Sequence, residues 1–489
     1  MKTLDPFATA RDMLRALGRR RISAVELLDV HLARIERHDA TLNAVVTRDF
    51  ERARVQAKAA DAARKRGKRG ALLGLPMTMK ESINVAGLRT TCGVPEWSAF
   101  VSQHDAPATT RVRAAGAVVM GKTNVPPLLA DWQSDNAIFG RTVNPWDQGR
   151  SPGGSSGGGA AALAAGLSAL EVGSDIGGSI RVPAAFCGVY GHKPSETALP
   201  RSGQFPYPPA PNAGVAMGVQ GPLARSAEDL ELLLDVLAGP EVGEDVAWRL
   251  ALPEARRKRL RDFRVAVLPP IDWLPVDDEI VAALERLASQ LGRAGVTLKR
   301  GKPEGLGDHR RHHALYRSLL AAVTSARVSE EERRRRVEMW KTREDEFGRA
   351  SLRGLQAGAA EYVGYFGQRE QARAAWRAFF REWDVLLAPN FNAPAFPHAP
   401  KPYPSDAKSL HDTLEVGGRT ILYDLGLVYP GIPTLAGQPA TAFPVGLTRA
   451  GLPIGLQAIG PYLEDRTPIR FAALLEREFG GFTPPPRFA

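Results

Sequence analysis

Only two cysteines, Cys92 and Cys187, occur in the 489 residues. They give no disulfide framework and too few thiolates for a metal cluster. Both suit a reducing compartment, where each is expected to be a small buried hydrophobe. No apolar run approaches the ~20 residues of a membrane-spanning helix. The N-terminal stretch MKTLDPFATARDMLRALGRRR carries acidic residues early and no unbroken apolar segment, so it does not read as a secretion signal. A cytoplasmic location is the expectation. Phosphate-binding signatures are missing as well: there is no GxxxxGK[ST], and no GxGxxG opens a helix. A GxSxG nucleophile elbow is also absent. Neither a cofactor nor a metal is expected.

The formal charge of +11 invites a nucleic-acid reading, with basic clusters at 19–21, 256–261 and 333–336. The last two are mixed with or preceded by glutamates, as in EEERRRR, the pattern of a solvated helix. No zinc-finger, RNP-like or GXXG pattern supports base reading, so no specific nucleic-acid partner is expected. The run HRRHH, with His309, His312 and His313, has a spacing that suggests metal. Its arginines would repel a cation and no acidic ligand alternates with the histidines, so a surface location is expected.

The order of elements points to an α/β fold. Helices are expected at 10–17, 23–38 and 50–66, with Ser23 and Glu26 forming a capping box; residues 1–70 then make a helical layer. A strand at 72–79 ends in Lys80, a helix follows at 108–115, and a strand at 116–121 leads into Lys122. Ser226 caps a helix at 227–237. Residues 240–381 form a mostly helical peripheral region, with strands at 263–268 and 296–298 and a helical stretch at 313–380 broken at glycines. Strands at 385–388, 440–445 and 453–459 follow, then a terminal helix at 467–478. Loops are expected at 131–147, at the proline-rich 207–211 and at 394–404. Since strands recur on both sides of the excursion, the expectation is one domain over 1–489. Its mixed central sheet would be covered by helices on both faces.

What the chain has in abundance is glycine and serine between Arg150 and Gly191. Ser155-Ser156 and Ser179 each follow a glycine pair, with an alanine-rich segment between them. Glycines leave amide N–H groups unshielded, and residues 160–165 favour a helix, so Ser155 and Ser156 fall at a helix N-terminus. A short strand at 167–172 delivers Asp175-Ile176-Gly177-Gly178-Ser179 at its end. A second glycine turn carrying a hydroxyl suits an oxyanion site built from backbone N–H groups. A flexible linker would not be interleaved with the core-like LAAGLSAL.

Acyl transfer needs a nucleophile, a proton acceptor and an oxyanion site. His192 is the only histidine near the glycine stretch, and a packing or hydrogen-bonding role suits it better than that of a base. A lysine that is neutral when it works can replace histidine. Lys80 ends a core strand, where an ammonium is costly. It is either a surface lysine at a strand end or a buried one with a lowered pKa.

GGSSGG at 153–158 and GSDIGGSIRVPAAFCG at 173–188 resemble the core of the amidase signature family. Supporting segments are LP at 75–76, GKTN at 121–124, NPWD at 144–147, GP at 221–222 and GLPIGLQ at 451–457. The resemblance implies that Ser179 is the nucleophile, Ser155 a bridging serine after a cis peptide bond, and Lys80 the base. It further implies backbone N–H groups of Ile176, Gly177, Gly178 and Ser179 as the oxyanion site. Ser156 would orient Lys80, with Asp175 and Arg181 supporting the loop. The implied reaction converts a linear carboxylic amide, a small molecule, to carboxylate plus ammonia or amine. A homodimer is compatible with this reading.

Departures from the family pattern bear on substrate. Gly191 to Thr197 reads GHKPSET where a GLKPT-type run is usual, and VPPLLAD follows Asn124. GVAMGVQ precedes Gly221, and Asp424 is followed by LGLVYPGIPTLAG. These favour a freestanding amidase over a glutamine-hydrolysing subunit for transfer-RNA amidation. The alternative of another class is a binding protein without catalysis, which would need the machinery lost. Apolar residues at 205–217 hint at an apolar acyl group.

Overall fold

Strands from both halves of the chain meet in one eleven-stranded mixed sheet in the computed structural model, which describes residues 5–206, 216–326, 328–399 and 406–489. Their spatial order is Val45–Arg48, Val118–Thr123, Pro76–Lys80, Leu170–Asp175, Val219–Ala224, Tyr190–Lys193, Ala440–Leu447, Pro453–Ile459, Val385–Pro389, Arg264–Val267 and Thr297–Arg300. Pro76–Lys80 runs parallel to both its neighbours, and Arg264–Val267 likewise. The remaining pairings are antiparallel. Helices cover both faces, as expected for an α/β fold. The proline-rich 207–211, and parts of the loops at 205–217 and 394–404, lie outside the described residues.

The central strands are buried on both faces, which is why they read as apolar runs rather than alternating ones. Pro76–Lys80, Val118–Thr123 and Leu170–Asp175 carry no exposed residue. Any polar group at their ends is therefore taken into the core, Lys80 and Asp175 among them.

The N-terminal layer consists of helices Ala10–Gly18, Ala24–Leu42 and Phe50–Lys65. Ser23 and Glu26 form the capping box. The unforeseen strand Val45–Arg48 lies between the second and third helices and pairs antiparallel with Val118–Thr123 at the sheet edge. Four residues between two strong helices carry too little alternation to be read as a strand. Ser226 caps Ala227–Leu237 by accepting from the Asp229 N–H.

Three sequence expectations in the excursion change. The helical stretch is divided into His309–Ser325, Glu330–Trp340, Glu346–Gln356 and Ala359–Glu382. Ser329 and Asp345 cap two of these with their side chains, and only Gly358 marks a break by glycine. Gly348, Gly354, Gly364 and Gly367 lie inside helices. The HRRHH run lies only partly on the surface: His312 and His313 are buried, and the His313 ring meets Phe347 edge-on at 4.6 Å. These two histidines face the inner side of a helix whose Arg310 and Arg311 face out, while its Arg317 turns in to pair with Asp424. The cluster at 256–261 is not a solvated helix either. Arg256 and Arg257 reach the buried carboxylate of Asp384, and Arg256 also pairs with Glu464.

Candidate active site

The ends of two neighbouring parallel strands, third and fourth in the sheet, converge with one glycine turn. Lys80 is the last residue of Pro76–Lys80, and Ser174 and Asp175 end the adjacent Leu170–Asp175. The segment 153–156 enters the helix Gly157–Ala164, with Ser156 at its N-cap. The peptide Gly154-Ser155 is cis. Gly154 admits a close approach of the loop at 131–132, since a Cβ there would lie 2.3 Å from the Asp131 carbonyl oxygen.

Lys80 Nζ donates to Ser155 Oγ at 2.7 Å and to Ser174 Oγ at 3.0 Å. The lysine has no solvent exposure, Ser155 has 1 % and Ser179 retains 7 %. Of the three, Ser179 is thus the one a solute can best reach. Burial lowers the Lys80 pKa to about 7, against the opposing pull of Asp175, Cys92 and Glu171. The surface-lysine alternative is thereby removed: the amine sits inside and gives up its proton near neutral pH.

Ser174 was not singled out in the sequence, because a serine inside a buried strand carries no pattern of its own. Its hydroxyl joins Lys80 to Gln204, whose Nε2 donates to Ser174 Oγ at 2.7 Å and to Ser82 Oγ at 3.0 Å. Ser156 faces the same strand: Ser174 N–H donates to Ser156 Oγ at 3.4 Å. Its hydrogen bonds run to the Ser174 main chain, so any influence on Lys80 passes through Ser174. Glu171 is a second unforeseen group. Burial raises its pKa to about 7, and Thr123 Oγ1 donates to it at 2.6 Å.

Asp175 organises the turn. Its carboxylate accepts from Gly178 N–H at 3.0 Å and Ile180 N–H at 3.1 Å. It also receives two bonds from Arg181, at 3.0 Å from Nε and 2.9 Å from Nη2. Burial alone would raise the Asp175 pKa; the Arg181 guanidinium outweighs it and holds the carboxyl at about 2. Arg181 is anchored in turn by Gln457 Oε1, the Pro430 carbonyl and Thr434 Oγ1.

Of the four amides proposed for an oxyanion, Gly178 differs from the rest because its N–H is taken by Asp175. Among the described residues the N–H groups of Ile176, Gly177 and Ser179 have no protein acceptor. The carbonyls of the turn are all engaged: Ile176 by Tyr316 Oη, Gly177 by Trp132 Nε1, Gly178 by Val182 N–H and Ser179 by Ser156 N–H. The loop at 131–147 frames the glycine segments as expected, through Trp132 and through Asn144 Nδ2, which donates to the Ser151 and Phe186 carbonyls.

His192 lies on Tyr190–Lys193, buried between Thr441 Oγ1 at 2.9 Å and Asp465 Oδ1 at 3.1 Å. Both ring nitrogens are occupied by structural partners, matching the hydrogen-bonding role expected of it. Cys92 and Cys187 are free and buried.

The profile of the family described as Amidase matches residues 26–468. The chain belongs to the amidase signature family. A curated relative, a glutamyl-tRNA(Gln) amidotransferase subunit of Synechococcus sp. (strain CC9605), is 32 % identical over 493 residues, covering 96 % of each chain. A solved structure described as a vestigial protein complex revealing the evolutionary origins of an s-triazine catabolic enzyme shares 28 % identity at a TM-score of 0.81. It covers 97 % of this chain and 100 % of that one. The structure of 6-aminohexanoate cyclic dimer hydrolase with substrate shares 25 % identity at a TM-score of 0.79, over 99 % of this chain and 100 % of that one. As an amidase signature enzyme the chain hydrolyses a carboxamide by serine–lysine chemistry. No helix among the described residues is long and apolar enough to cross a membrane.

Proposed function

We propose that this amidase signature enzyme cleaves a small-molecule carboxamide through an acyl-enzyme on Ser179, with Ser155 relaying the proton to Lys80. Ser179 Oγ attacks the carbonyl carbon while its proton passes to Ser155, whose own proton passes to the neutral Lys80 amine. The tetrahedral oxyanion accepts from the unpartnered N–H groups of Ile176, Gly177 and Ser179. Collapse breaks the C–N bond, and the proton returns along the same route to the departing ammonia or amine. Water then attacks the ester and releases the carboxylate, regenerating the Ser179 hydroxyl. The observation that carries this reading is the 2.7 Å contact from a fully buried Lys80 to Ser155.

A working base must be uncharged, so the neutral fraction of Lys80 should set the rate. With its pKa at about 7, kcat/KM should rise about tenfold per pH unit below that value and level off above it. A pH–rate profile that is flat between pH 5 and 7 would contradict the assignment. Mass spectrometry of protein quenched during turnover should find the acyl group on Ser179; an acyl group on another side chain would dispose of the nucleophile.

The comparisons favour a second reading of which carboxamide is cut. Similarity to the glutamyl-tRNA(Gln) amidotransferase protein over 96 % of both chains supports glutamine as the amide and a partner protein that receives the ammonia. This weighs more than the departures around 192–197 and before Gly221, which had pointed to a freestanding amidase. Purification from the native cell with assays on glutamine and on aryl and alkyl amides separates the two. A stable second chain with ammonia release from glutamine supports the amidotransferase reading, whereas turnover of simple amides by the isolated chain supports the freestanding one.

A further inference from the structure

Tyr316 belongs to the helix His309–Ser325, in the excursion that carries no part of the glycine-rich core. Its side chain is completely buried, and its hydroxyl donates to the Ile176 carbonyl at 2.9 Å. In a trans peptide the C=O of one residue and the N–H of the next point in opposite directions within one rigid plane. The sole cis bond among the described residues is Gly154-Ser155, so the plane joining Ile176 and Gly177 is trans. Fixing the Ile176 oxygen therefore fixes the direction of the Gly177 N–H, away from Tyr316 and free of any acceptor among the described residues.

The next plane is fixed differently. Trp132 Nε1 donates to the Gly177 carbonyl at 3.1 Å, and the N–H on the far side of that plane, that of Gly178, already meets Asp175 at 3.0 Å. That amide has two anchors and is spent on the fold. The Gly177 amide has one anchor, Tyr316, and remains available. Space for the ring is built in: a Cβ on Gly431 would lie 2.9 Å from the Tyr316 ring. Burial pushes the phenol pKa up, so the donor keeps its proton across the working range.

We infer that Tyr316 is a positioning residue for the oxyanion site, aiming the Gly177 N–H by holding the Ile176 carbonyl. The inference rests on the acyl-transfer reading proposed above. It gives the peripheral region a part in the chemistry: the helix that shapes one side of the site also sets the angle of one of its donors.

The test compares wild type with Tyr316→Phe and Trp132→Phe. Hydrolysis of 4-nitroacetanilide and the rate of Ser179 sulfonylation by phenylmethylsulfonyl fluoride are the readouts, the second requiring no knowledge of the natural amide. Losing an oxyanion donor outright costs about 10²–10³ in kcat, so misaiming one should cost on the order of tenfold. Tyr316→Phe is expected to lower kcat and the sulfonylation rate by that factor with KM within about twofold. Trp132→Phe should slow sulfonylation less, because Asp175 still holds the Gly178 amide. Unchanged rates in Tyr316→Phe overturn the inference, and so does a loss in kcat matched by a rise in KM and a lower melting temperature. If Tyr316→Phe cannot be obtained folded, a loss in Trp132→Phe of tenfold or more overturns the distinction between the two amides, while a smaller one upholds it. Labelling of wild type at a residue other than Ser179 would instead remove the acyl-transfer reading itself.

Discussion

Ser179→Ala is expected to lower kcat/KM for any turned-over amide by about 10⁴-fold or more, with the protein still folded. In serine hydrolases the nucleophile and its base act as a unit, and loss of either costs up to ~10⁶ in kcat. Here the unit would be Ser179, Ser155 and Lys80, of which the Lys80–Ser155 bond is 2.7 Å. The decisive measurement is the double variant Ser179→Ala with Lys80→Ala, assayed beside each single one. If the residues share one proton route, the double loss should not exceed the larger single loss, since a base has nothing to do once its hydroxyl is gone. Multiplicative losses would mean that Lys80 acts on some other step. Wild-type turnover by Lys80→Ala near neutral pH would remove Lys80 as base altogether.

The second large effect concerns stability. Arg181→Met should destabilise the protein by about 3–5 kcal/mol in urea or thermal unfolding, because it leaves the Asp175 carboxylate buried and without its counter-charge. Both side chains are fully buried, and the guanidinium makes bonds to Asp175, Gln457, Pro430 and Thr434 at once. A protein is commonly stable by only about 5–15 kcal/mol, so this loss should be visible at room temperature. An unfolding midpoint unchanged within error would show that water reaches the turn and screens the charge. The pair also predicts an acid limb. The folded-state pKa of Asp175, about 2, lies below its unfolded value near 3.9. Its contribution is therefore complete above pH ~4 and is lost as pH falls toward 2. In Arg181→Met, where burial is no longer outweighed, that acid loss should disappear, because protonating the carboxyl then relieves a buried unpaired charge.

Much of the site could be read from the residues in order, because its chemistry is concentrated in short contiguous runs. GGSSGG and GSDIGGSIR each place several candidate groups within a few residues, and a glycine turn at a strand end dictates its own geometry. The groups that were missed are single residues without a local pattern. Ser174 and Glu171 lie inside one buried strand, where a polar residue matters only through what the neighbouring strand brings opposite it. Lys80 and Ser174 are 94 positions apart, joined by the parallel pairing of their strands. Gln204 comes from a segment without a pattern of its own, and Tyr316 from one that looked like periphery. The histidines of HRRHH were misplaced for a related reason. Charge around a histidine suggests water, yet a helix turns some of its residues inward whatever lies beside them in sequence.

By itself the sequence determined the family, the α/β class and the set of groups able to carry out acyl transfer. Glycine pairs, cap residues and apolar strand runs act over a few positions, and such local preferences survive in any context. Tertiary structure alone decided that the Lys80 amine would be dry and able to lose its proton near pH 7, that Gly178 would give its N–H to Asp175, and that Tyr316 would hold the turn from outside. Desolvation and hydrogen-bond direction depend on which distant segments close around a group, and eleven strands from across the chain had to pair before those surroundings existed.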